Sequence, residues 1–270
     1  MRRAEDCPPY QSLKSCKGFE SLNPIEMRTA SDRKMESESS SPPFSEETPF
    51  PSTHPVASRA LSAFELLFGA FIVIGHNVFH IVPNEVIVLF AVGVASIWLR
   101  DGRWSAMGFK RPASWGRIFL IALAAAGLRL LLGQFVIEPV TGFFWPPPSA
   151  PALANEIAGN AKVALLALLV VWTFAAFGEE IAYRGYLLTR AADIGGRSTI
   201  AYWVGIVLVS ILFGYGHYYK GPSGIVDSGI AGLILGVAYM LAGRNLWACI
   251  FTHGFIDTFA VIDAFFGWSK

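Results

Sequence analysis

About seven stretches of apolar residues, each near the ~20 residues that a helix needs to cross a bilayer, follow one another through this chain and limit its fold more than any other feature. They occupy residues 61–82, 84–99, 117–137, 161–192, 199–215, 223–242 and 245–266. Backbone N–H and C=O groups in hydrocarbon have no water to bond to, so segments of this length must satisfy them internally as helices. The sequence therefore predicts an all-α, polytopic bundle of transmembrane helices. Composition agrees: 15% of residues are charged, where a soluble domain has roughly a quarter. The mean hydropathy is +0.47. A formal net charge of +1, with no interleaving of basic and aromatic residues, sets nucleic-acid binding aside. The expected partner is the lipid bilayer.

Residues 1–58 are polar and include the run ESESSSPPFSEETPFPSTHP. Such a segment buries too little apolar area to offset its ordering entropy, and it is expected to be a disordered cytoplasmic tail. It has no signal-peptide core, and Met35 offers an alternative start that would make residues 1–34 no part of the native chain. Residues 59–158 are expected to hold helices one to three, and residues 159–268 a core of helices four to seven. Cys7, Cys16 and Cys249 form no framework and read as free thiols. Arg100, Arg103, Lys110, Arg111 and Arg117 follow span two, Arg190 and Arg197 follow span four, and Arg244 follows span six. Positive residues mark the cytoplasmic side, which places the N-terminal tail there as well.

An ionisable side chain inside a membrane costs at least ~2.5–3.5 kcal/mol and needs a partner, a cavity or a helix end. In FGEEIAYRGYLL, Glu180 and Arg184 stand four apart on one helix face in the order that favours pairing. Glu179 lies about 100° away around an α-helix and is left as the carboxylate that can handle protons. The bland alternative is an ion network at a helix end. In ILFGYGHYYKG, Phe213 and His217 are four apart, and His217 taken alone reads as an interfacial residue among tyrosines. In FTHGFIDT, His253 and Asp257 share a face, as a structural pair or as part of a site.

Depth favours a site. At ~1.5 Å per residue from the cytoplasmic helix ends, Glu179 stands about 20 Å deep, His217 about 27 Å, His253 about 12 Å and Asp257 about 18 Å. Three helices that carry such groups to overlapping depths describe one cavity better than three accidents. His76, Asn77 and His80 make a further polar cluster in span one. The His-x-x-x-His spacing suits a metal, but interfacial anchoring is the favoured reading. Arg129 in span three is expected to pair with an interior acid or with backbone carbonyls.

The motifs resemble those of the CPBP family of intramembrane proteases, also called the Abi or type II CAAX-protease-like family. Glu179-Glu180-x-x-x-Arg184, Phe213-x-x-x-His217 and His253-x-x-x-Asp257 occur in the family's order, and Tyr183 to Leu187 is similar to the family as well. The resemblance implies that Glu179 and His217 activate the attacking water, and that His253 and Asp257 stabilise the oxyanion. Glu180, Arg184 and Phe213 would hold the geometry. Prenyl-protein proteases of the family carry Asn where this chain has Asp257, and an ionised carboxylate donates no hydrogen bond. Asp257 is then either protonated or an orienting group for His253.

The reading that follows is an endopeptidase acting on a peptide or membrane-protein substrate, with no cofactor required. Zinc held by Glu179, His217 and His253 is the metal alternative, although the His-Glu-x-x-His helix of zinc proteases is absent. The rival from another class is a proton-coupled transporter or a partner-sequestering scaffold, with the same groups serving as a relay. Oligomeric state and substrate are not encoded in any motif.

Overall fold

The computed structural model describes residues 56–145 and 152–268. The expected tail, the Met35 start, Cys7 and Cys16 lie outside the described residues or, for residues 56–58, at their edge. Seven principal helices follow one another: α1 Val56–Asn77, α2 Glu85–Asp101, α3 Trp115–Phe144, α4 Ala161–Ile194, α5 Thr199–Tyr215, α6 Gly221–Leu241 and α7 Leu246–Phe266. A short helix, Ala152–Ile157, precedes α4, and no strand occurs among the described residues.

Local chemistry sets the helix starts. Asn84, Ser114, Asn160, Ser198 and Asn245 each cap a helix by accepting from a backbone N–H in its first turn, which satisfies donors that the helix itself leaves open. Gly102 and Gly267 end α2 and α7 in the left-handed region, with φ of 65° and 66°, where a residue without Cβ is at no disadvantage.

Five helices among the described residues are long and apolar enough to cross a membrane, rather than seven. The two that fall short are α2 and α5, at 17 residues each. Their length is about 26 Å at 1.5 Å per residue, under the ~30 Å of a hydrocarbon core. Asn84 and Gly102 cap the ends of α2, and Ser198 and Gly216 those of α5, so neither helix extends far beyond its short apolar run. Two spans are longer than expected. α3 continues through a π-turn at Gly133–Ile137, and α4 runs 34 residues.

α4 is the central post. Its first half faces outward, with Leu165, Leu166 and Leu169 exposed, whereas every residue from Glu180 to Asp193 is buried. This explains why the fourth apolar run turns polar after Gly178: its second half is wrapped by protein and not by lipid. Tyr183, Tyr186, Leu187 and Leu188 from α4 pack with Leu89 of α2, Ile206 and Val209 of α5, Leu235 of α6 and Cys249 of α7. The outer faces carry Leu120, Leu131, Ile200, Val204 and Leu241, the inversion of a soluble surface that a lipid solvent requires.

Small residues bring α5 and α6 together. A Cβ on Gly232 would meet Ser210, and one on Gly214 would lie 2.6 Å from the backbone oxygen of Ile225. That oxygen cannot swing aside as a side chain can. Gly214→Ala should therefore destabilise the protein by about 1–3 kcal/mol, read as a lower thermal unfolding temperature in detergent, while Gly127→Ala, which meets nothing, should not.

The basic connections gather at one end. Leu246 N–H donates to Gly108 O, Asn245 to Lys110 O and Arg117 to Leu241 O. Several of these charges are not solvated. Arg190 is buried and bonds Glu65, Ser96 and Asp193, and Arg197 bonds Asp193 and Asp101. Arg100 joins them through Glu65 and Ser62. Three arginines and three carboxylates thus close a network between α1, α2 and the end of α4. Burial works against the charge of Arg197, but the bonds from Asp193 and Asp101 prevail and hold its guanidinium above the ordinary arginine value.

Candidate active site

The site begins with the geometry of α4 around its two glutamates. From Val171 to Glu179 and from Ile181 to Leu187 the helix is wound with i→i+5 hydrogen bonds. The residue pattern predicts an ordinary α-helix here, and nothing in it signals the wider turn. π-turns are rare and frequently mark functional sites.

Glu180 is fully buried, and its Oε1 accepts from Arg184 Nη1 at 3.0 Å and from His253 Nδ1 at 2.8 Å. The i,i+4 pair read from the sequence is present, and α7 adds a second partner to it. Arg184 Nη2 donates to Gly232 O of α6, and its guanidinium stands 4.3 Å over the ring of Phe213 of α5. One arginine therefore ties α4 to α5 and α6, and through Glu180 to α7.

Phe213 is the second hub. Its ring meets Tyr183 edge-on at 5.1 Å, His217 at 4.9 Å and His253 at 6.0 Å. His217 lies just past the end of α5, and its Nδ1 is 2.9 Å from Phe213 O. A carbonyl only accepts, so that nitrogen carries hydrogen; in the neutral ring Nε2 is then the free acceptor.

His253 has carboxylates on both sides. Nδ1 faces Glu180, and Nε2 lies 3.5 Å from Asp257 Oδ2. The second distance exceeds a normal hydrogen bond, so Glu180, not Asp257, fixes the ring. Asp257 is about one third exposed and opens the site on its side. Glu179 is half-buried and lies in the electrostatic field of His253, Asp257, Glu180 and Arg184. His217 shares His253 and Asp257 as neighbours, and Lys220 adds a cation beside both His217 and Asp257. Glu180, Arg184, Phe213, His217, His253 and Asp257 are thus joined by contacts, with Glu179 beside them.

Of the residues named for zinc, His253 gives Nδ1 to Glu180 and His217 gives Nδ1 to a carbonyl, which leaves Glu179 and the Nε2 atom of each histidine as open donors. Among the described residues no three His, Cys, Asp or Glu side chains are grouped as a metal would need.

Several further groups brace this region. Trp172 packs on α7 where a Cβ at Gly254 would lie 2.5 Å from its ring, and its indole donates to Thr258 at 3.1 Å. Its apolar surroundings gave no signal. Glu65 did carry one, as a lone acid within an apolar run. Arg129 pairs with Asp227 at 2.5 Å, the interior acid expected of it. His76 and His80 do not face one ligand: His76 pairs with Glu85 at 3.0 Å, and His80 is exposed with φ of 56°.

Long apolar helices around a buried cluster of acids, histidines and one arginine define an integral membrane protein with a polar centre. Residues 161–259 match the Rce1-like family, described as type II CAAX prenyl endopeptidase Rce1-like. Over that segment the resemblance drawn from the three motifs is borne out, and at the level of the family it supports an intramembrane endopeptidase acting on peptides. No curated protein and no solved structure matches the chain.

Proposed function

We propose that the protein hydrolyses peptide bonds within the membrane by metal-free glutamate and histidine chemistry, and that its substrates are C-terminal peptides of the prenylated CAAX type named by the family. The observation that carries this reading is the direct bond between Glu180 of α4 and His253 of α7 beside Phe213 and His217 of α5. It draws all three motifs into one cluster.

In this mechanism a water lies between Glu179 and Nε2 of His217. Glu179 takes its proton as the oxygen attacks the amide carbon. The developing oxyanion accepts a hydrogen bond from Nε2–H of His253, whose orientation Glu180 holds from the other nitrogen. Collapse breaks the C–N bond, and Glu179 returns the proton to the leaving nitrogen. Asp257 stays beside His253 and balances its charge. The positive-inside tendency supports a cytoplasmic basic end of the bundle, with the N-terminal segment on that side.

The test is cleavage of an internally quenched peptide ending in a farnesylated Cys-aliphatic-aliphatic-X sequence by purified, metal-stripped protein, with the released fragment identified by mass spectrometry. Chelator-resistant release of the terminal tripeptide is the expected result. Activity restored only by zinc would reverse the metal-free assignment. His253→Ala should lower turnover about 10²–10³-fold, the usual effect of removing one oxyanion donor, and a smaller fall in kcat than tenfold would remove His253 from that role.

A further inference from the structure

Three residues beyond His217 stands a cation that the mechanism does not use. Lys220 ends the short turn Tyr218–Lys220 after α5, and its backbone N–H donates to His217 O at 2.9 Å. Its side chain is carried over the first turn of α6: a Cβ on Gly224 would collide with Lys220 Cβ and meet its Cγ and Cδ at 3.3 and 3.4 Å. The glycine thus leaves the space in which the aliphatic stem lies. At the far end Nζ stands 5.7 Å from the centre of the Tyr219 ring, and that ring stacks on His217 at 6.0 Å. Through Tyr219 the ammonium is therefore held within about 12 Å of the His217 ring.

No ion pair among the described residues uses Lys220. Asp227 of α6 pairs with Arg129 at 2.5 Å, and Asp257 faces His253 at 3.5 Å. Lys220 is half-buried and lies in the common field of His217 and Asp257. A half-buried ammonium without a partner is a ready receiver for a carboxylate, because the ionised bond is about twice as strong as a neutral one. A peptide of the CAAX type supplies that carboxylate at a fixed spacing. Three residues follow its cysteine, so the free C-terminus lies at most about 10 Å from the carbonyl that is cut, at roughly 3.3–3.6 Å per extended residue. Such a peptide can place its scissile bond at the water beside His217 and its terminal carboxylate at Lys220 together.

We infer that Lys220 is a specificity-determining residue that binds the free C-terminal carboxylate of the peptide and so sets the cut three residues from the end. The inference rests on the proposed protease reading. It adds no covalent step: Lys220 forms one ion pair with the substrate, and Glu179, His217 and His253 act as before.

The test compares the farnesylated peptide ending in a free carboxylate with the same peptide ending in an amide, which keeps the shape and removes the charge. The unaltered protein should prefer the free acid by about 10–10²-fold in kcat/KM, the usual effect of a hydrogen bond to a charged group, with the difference carried by KM. Lys220→Gln should cleave the two peptides alike, and Lys220→Arg, which keeps the cation, should retain most of the preference. Lys220→Met stands in if the glutamine variant unfolds at a lower temperature. Equal cleavage of acid and amide by the unaltered protein would overturn the inference while leaving the protease reading intact. So would an undiminished preference in Lys220→Gln, or an equal fall on both peptides, which would make the lysine a charge partner of Asp257 or an anchor for lipid phosphate. If the unaltered protein cleaves neither peptide, the protease reading itself fails and the carboxylate site falls with it.

Discussion

Glu179→Gln should give a protein that inserts and folds normally and whose cleavage of the farnesylated peptide falls by about 10⁴-fold, the upper range for removing a general base. The substitution preserves shape, and Glu179 makes none of the buried ion pairs that hold the bundle: those use Glu180, Glu65, Asp101 and Asp193. What is lost is the proton acceptor beside His217 and His253. The measurement is single-turnover cleavage at saturating enzyme, with unfolding temperature as a control. Turnover within tenfold of the unaltered protein would remove Glu179 from the chemistry. A cellular phenotype that survives Glu179→Gln would favour a scaffold that sequesters a partner over a protease.

The parts of this architecture that the sequence discloses are those with a short-range signature. Apolar runs announce the helices. Glu180 and Arg184 are paired because four residues make about one helix turn. What depends on the neighbour across the bundle was not legible. No spacing shows that Glu180 receives His253 from 73 residues away, that Trp172 braces Gly254, or that Arg190 and Arg197, counted among the cytoplasmic charges, are tied to carboxylates at Asp101 and Asp193. The π-winding of α4 is a similar case, because the same residues would support an ordinary helix. The two short spans were overcounted on apolarity alone: their apolar runs, 84–99 and 199–215, are no longer than the helices that form there, and both fall under the thickness of a hydrocarbon core.

Arg184 is where stability and chemistry can be separated. Arg184→Ala should cost about 3–5 kcal/mol and abolish cleavage, because it leaves Glu180 buried without its cation. That carboxylate already has one oxygen, Oε2, with no hydrogen-bond partner. Arg184→Lys should recover little, since a single ammonium cannot reach Glu180, reach Gly232 O and lie flat over Phe213 together. The informative variant is Glu180→Leu with Arg184→Met, which removes both charges and fills the space with apolar side chains. Buried pairs replaced in this way often lose no stability, so the unfolding temperature should return towards that of the unaltered protein. Turnover should not return, because His253 then has no acceptor on Nδ1 and its ring is free to turn towards Asp257. Recovery of both properties in the double variant would mean that the Glu180 to His253 bond is dispensable, and that the oxyanion donor is positioned by something other than α4.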